Sequence, residues 1–82
     1  MKIRYKQLVI TLDLPIKALN KAKGKIVFAK LKNGIEYKGR LEQSDNFMNL
    51  ILEDVEETTD DTVIKYTKAF VKGNNLIYVK ID

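Results

Sequence analysis

Leu8, Ile10 and Leu12 alternate with Val9 and Thr11 near the start of the chain, the period of two that marks a strand or an extended arm. From Asp13 the pattern changes. Pro15 suits a first helical turn, Asp13 favours the positive end of a helix and Gly24 stops one, so the segment predicts a short helix. Ile16 and Leu19 share one face of it, to be laid over a core, while Lys17, Lys21 and Lys23 face water. After Gly24 the pattern becomes extended. Lys25 to Lys32 is dense in Ile26, Val27, Phe28 and Leu31, and Asn33-Gly34 then interrupts it, a hairpin signal because both residues tolerate the positive φ of a type I′ turn. A second strand follows from Ile35 to about Gln43, with Gly39 marking strong bending or a close approach. Ser44-Asp45-Asn46 is a turn, and Phe47 to Val55 reads as a third strand with Met48, Leu50 and Leu52 on one face. The acidic run Glu53 to Asp61 is expected to end that strand in a polar loop. Two more strands, Thr62 to Val71 and Asn75 to Ile81, flank a tight Lys72-Gly73-Asn74 connection.

One helix and five short antiparallel strands, the second of them bent, predict a mainly β domain: a small open barrel of SH3-like or OB-like type. The last strand, Leu76 to Val79 with Ile81, is almost wholly apolar and has few of the charges that blunt an exposed edge. Its edge is therefore expected to pair with a neighbouring copy, and head-to-tail contacts that close make a ring. The alternative is a monomer whose helix or arm covers this edge.

Composition narrows the chemistry. The 82 residues fit one domain, and none is His, Cys or Trp. There is thus no disulfide, zinc ribbon, thiol nucleophile or imidazole acid/base, and no enzyme activity or cofactor is expected. The acidic run lacks the positioning Gly of a hard-cation loop, so no metal site is expected there. The basic N-terminus leads into an apolar stretch broken by Thr11 and Asp13, which reads as neither secretion signal nor membrane span and implies a cytoplasmic protein. Charge is divided: residues 1–40 carry 11 basic and two acidic side chains, residues 41–82 four and nine. A basic face from the early elements and an acidic one around Glu53 to Asp61 would follow.

Two blocks carry a family resemblance. Leu31-Lys32-Asn33-Gly34-Ile35-Glu36-Tyr37-Lys38-Gly39-Arg40-Leu41, with Asp45-Asn46-Phe47-Met48-Asn49-Leu50-Ile51-Leu52, resembles the first motif of the Sm and Sm-like family in its archaeal, single-domain type. Val71-Lys72-Gly73-Asn74-Asn75-Leu76-Ile77-Tyr78-Val79 resembles the second. The match runs from about residue 13 to the end, dividing the chain into an arm, 1–12, and an Sm-like domain, 13–82. It implies a short N-terminal helix on a strongly bent five-stranded antiparallel sheet, with subunits closing into a ring, usually a heptamer, by pairing of the fourth strand with the fifth. It also implies uridine-rich single-stranded RNA bound at the inner rim, one base per subunit, in RNA processing or chaperoning.

On that resemblance Phe47 takes the stacking position, Asn49 the base-reading position and Lys72 the cationic position. Asp45 would order the loop through backbone N–H groups, and Gly73 and Asn74 would turn the second loop and present backbone groups to the base. An Asn amide offers an adjacent donor and acceptor that match the N3–H and O4 edge of uracil. Two positions depart from the family: Lys72 stands where Arg is usual and Phe47 where His or Tyr is, which implies a weaker or less selective uridine site. The rival expectation is a ring or filament that holds protein partners on its faces around an inert pocket.

Overall fold

The computed structural model describes residues 8–11 and 19–82. Six strands form one antiparallel sheet: β1 Leu8–Thr11, β2 Ile26–Leu31, β3 Glu36–Ser44, β4 Leu50–Thr59, β5 Thr62–Val71 and β6 Leu76–Ile81. Their order is β1-β6-β2-β3-β4-β5, so β2 to β6 supply the five expected strands and the arm contributes a sixth outside β6. Most of the expected helix lies outside the described residues. Its end is present in Leu19 and Asn20, followed by a turn to Gly24, whose φ of 88° suits a residue without Cβ.

Alternation along the strands decides what is buried. Val27, Ala29 and Leu31 of β2, Leu50, Leu52 and Val55 of β4, and Leu76, Val79 and Ile81 of β6 point into one core, joined by Leu41, Val71 and Met48. Leu19 and Ala22 close it, while Lys21 and Lys23 stay in water as expected. Each large aliphatic side chain so buried contributes about 1.5–3 kcal/mol. Gly39 is a close approach: a Cβ there would stand 3.1 Å from the carbonyl oxygen of Glu53 and 3.2 Å from both Leu52 Cβ and Val55 Cγ2. The β3–β4 register shifts at this point, which bends the strand.

Three expectations are corrected. The Asn33-Gly34 hairpin forms, but not through a type I′ turn, since only Gly34 has positive φ, 92°. The Gly34 N–H donates to the Leu31 carbonyl at 3.0 Å and the Ile35 N–H to Asn33 Oδ1 at 3.0 Å, so Asn33 braces a longer loop with its side chain. The acidic run is strand rather than loop: β4 continues to Thr59, and the turn is confined to Asp60-Asp61. Its partners explain this. Glu53 faces Arg40 on one side and Lys68 on the other, and Glu56 faces Lys38 and Lys65. Opposite charges across neighbouring strands favour pairing, and the Arg40 guanidinium also reaches Glu53 at 3.1 Å and Asp54 at 2.8 Å. The expected basic and acidic faces are accordingly interleaved along β3, β4 and β5.

Candidate nucleic-acid interface

The loop between β3 and β4 is built around one carboxylate. Asp45 Oδ1 accepts the backbone N–H groups of Phe47 at 2.8 Å and Asn49 at 3.0 Å, and Oδ2 accepts the Asn49 side-chain amide at 3.0 Å. An Asp before a turn supplies this geometry, satisfying donors that the sheet no longer pairs. Met48 sits at its centre with φ 62°, an uncommon backbone for a side chain this large. Its side chain is buried in the core, which anchors the strained residue and turns the flanking Phe47 outward. Phe47 is 79% exposed, the posture of a platform and not of a core residue.

The connection from β5 to β6 closes against this loop. Gly73 to Asn75 forms a single 3₁₀ turn, wider than the tight connection expected, and the Gly73 N–H donates to Asn49 Oδ1 at 2.8 Å. A Cβ on Gly73 would overlap the Phe47 carbonyl oxygen and stand 2.8 Å from the Met48 carbonyl carbon. Glycine is required here for room, since its φ lies outside the left-handed range. The Asn49 amide therefore bridges both loops, giving an N–H to Asp45 and accepting one from Gly73. One amide N–H and one oxygen lone pair remain, held in fixed orientation.

Phe47, Asn49, Lys72, Gly73 and Asn74 line one open cleft of about 340 Å³, a size at the lower end of small-ligand sites. Five of the six candidate residues thus come together, and Asp45 supports them from behind. Lys72 and Asn74 are exposed, and Lys72 has no carboxylate within ion-pair distance among the described residues. Phe70 on β5 was not anticipated. It is 62% exposed and borders an adjoining cleft with Asp45, Asn49 and Ile51. The alternation Ala69-Phe70-Val71, with Val71 buried, carried that signal.

Asp45 has a pH signature. The Asn49 side-chain amide, and to a lesser degree the backbone N–H groups of Asn49 and Phe47, hold its carboxyl below the ordinary 3.8 against a partial opposing effect of desolvation. A carboxyl lowered on folding stabilises the loop fully above its unfolded value, and that stability is lost as pH falls through the lowered folded value. A pH titration of the Phe47 and Asn49 amide chemical shifts should show a midpoint below 3.8. A midpoint at or above that value would contradict the network.

Comparison with known proteins agrees with this architecture. Residues 17–81 match the family profile described as LSM domain. The chain is 41% identical over 69 residues to the U6 snRNA-associated Sm-like protein LSm6 of Ajellomyces capsulatus, covering 83% of this chain and 86% of that one. It is 44% identical over 66 residues to the LSM complex subunit lsm6 of Schizosaccharomyces pombe, covering 79% and 88%. Among solved structures, a heptameric archaeal Sm protein superposes with a TM-score of 0.75 at 35% identity, over 80% of this chain and 97% of that one. The Pyrococcus abyssii Sm protein, solved in complex with a uridine heptamer, superposes with a TM-score of 0.78 at 30% identity, over 85% and 100%. With the family profile spanning residues 17–81, relatives more than 40% identical over most of both chains, and the shared bent sheet, this chain belongs to the Sm and Sm-like family.

Proposed function

We propose that this chain, an Sm-like domain over residues 13–82 with an arm before it, assembles into a homo-oligomeric ring, heptameric like its archaeal relatives, and binds uridine-rich single-stranded RNA in RNA processing or chaperoning. The carrying observation is the convergence of Phe47, Asn49, Lys72, Gly73 and Asn74 on one open cleft. The Phe47 ring stacks a base, the free half of the Asn49 amide reads its edge, and Lys72 neutralises phosphate or the base's carbonyl side. The complex of the Pyrococcus abyssii relative with a uridine heptamer supports this ligand class. Assembly runs through pairing of β5 of one copy with β6 of the next. The exposed Val63, Ile64, Tyr66 and Phe70 on β5, which among the described strands pairs with β4 alone, support that edge as an interface.

A scaffold for protein partners is the second reading, and one observation favours it: half the hydrogen-bonding capacity of Asn49 is already engaged by the protein. Fluorescence anisotropy with oligo(U) and oligo(A) separates the two. Phe47→Ala should weaken both oligonucleotides by about 1–3 kcal/mol per stacked base, and Lys72→Ala should flatten the salt dependence. Unchanged affinity in both variants would assign RNA to another surface.

A further inference from the structure

β1 occupies the edge that assembly requires. It runs antiparallel to β6 with Leu8 opposite Ile81, Val9 opposite Lys80, Ile10 opposite Val79 and Thr11 opposite Tyr78. The other side of β6 is taken by β2, so from Tyr78 to Ile81 β6 has a partner on each side. Among the described residues, Leu76 and Ile77 are the part of its outer edge without a partner strand, too short a stretch to seat another. Each backbone N–H and C=O on that edge points one way and serves one ladder, so β1 and an incoming strand cannot both hold it. At the opposite end of the sheet β5 is ten residues long, pairs with β4 alone among the described strands, and exposes Val63, Ile64, Tyr66 and Phe70. One edge of the chain is open and apolar; the other is closed by its own arm.

We infer that the Tyr78–Ile81 edge is a shared docking surface, held by β1 in the single chain and by β5 of a second copy in the assembly, so that ring growth proceeds by strand exchange. The inference rests on the β5–β6 pairing proposed above. Length and chemistry favour the exchange. β1 covers four residues of β6, whereas β5 is long enough to pair along all six, Leu76–Ile81, and brings exposed apolar side chains to the contact. The arm also lies outside the family match at 17–81, so its pairing is an addition to the domain and not a part of its core. While attached, β1 shields an edge that would otherwise recruit strands without selection; its release sets the concentration at which copies associate.

Two variants of the full chain test this by sedimentation and native mass across a concentration series. The protein contains no Cys, so Val9→Cys with Lys80→Cys, directly opposed across β1 and β6, introduces a single reversible lock. The oxidised form should remain monomeric and the reduced form should assemble. Val9→Pro with Ile10→Pro removes two consecutive N–H donors, one of which faces β6 whatever the ladder phase, and should lower the half-assembly concentration at least tenfold. Equal assembly of the oxidised and reduced lock would overturn strand exchange while leaving β5–β6 pairing to be supported by the assembly itself. Weaker assembly of the proline variant would overturn it too, by showing that β1 is a working part of the interface. Failure of the reduced, proline and unmodified chains to associate at any concentration would overturn both the inference and the edge pairing beneath it.

Discussion

Gly73→Ala should dismantle the cleft while leaving most of the sheet intact. The added Cβ would overlap the Phe47 carbonyl and press on the Met48 peptide, backbone atoms that cannot rotate aside as a flexible side chain would. Met48 cannot yield easily, because its left-handed backbone is pinned by a buried side chain and by the Asp45 turn. The two loops must therefore separate, breaking the 2.8 Å hydrogen bond from the Gly73 N–H to Asn49. Overpacking of this kind costs about 1–3 kcal/mol, and in a domain of this length each kcal/mol lowers Tm by roughly 4–8 °C. Thermal denaturation should show a drop of at least that size, and oligo(U) affinity should fall tenfold or more. Asn74→Ala, at an exposed position on the same turn, should change Tm little. Equal melting of Gly73→Ala and the unmodified chain would show that the loops do not touch in solution.

Asn49→Asp should be more damaging to binding than its near-identical shape suggests. The amide N–H now 3.0 Å from Asp45 Oδ2 would be replaced by a carboxylate oxygen, setting two negative groups against each other where a donor met an acceptor. One of the pair must then take up a proton or swing away, since like charges at this separation raise a carboxyl's pKa. The oxygen facing the Gly73 N–H survives the change, so damage falls on the Asp45 side. At neutral pH oligo(U) affinity should drop at least tenfold, about 1.4 kcal/mol, with the preference over oligo(A) reduced. Acidification should restore part of it, because a protonated carboxyl again supplies a donor. Anisotropy titrations at neutral and mildly acidic pH read both effects, and a loss that does not respond to pH would argue against the Asp45 contact as its origin.

Local features carried much of this fold into view from the sequence. Period-two spacing placed Met48, Leu50 and Leu52 on the core face, apolar density marked β2 and β6 as strands, and Gly39 announced the point where β3 approaches β4. The Asp45-to-Asn49 spacing marked a loop that presents an aromatic residue. What escaped were interactions between distant segments. Glu53 and Glu56 look like loop residues until Arg40, Lys38, Lys65 and Lys68 are set opposite them in two other strands. Likewise, Asn49 looks like a free base reader until Gly73, 24 residues on, engages its oxygen. The proposed base reading and the loop bracing call on the same amide, and only the folded chain shows that the bracing is already in place. The arm is the same case: alternation from Leu8 to Leu12 announced a strand, but its partner lies near the other end of the chain.

The central claim is that an assembled ring of this chain presents its Phe47, Asn49 and Lys72 clefts to one strand of uridine-rich RNA. Native mass spectrometry of the full chain with and without oligo(U), at low salt, tests it most directly. The expected result is a closed oligomer that takes up oligo(U) in preference to oligo(A). A monomer that shows no affinity for oligo(U) under those conditions would contradict it.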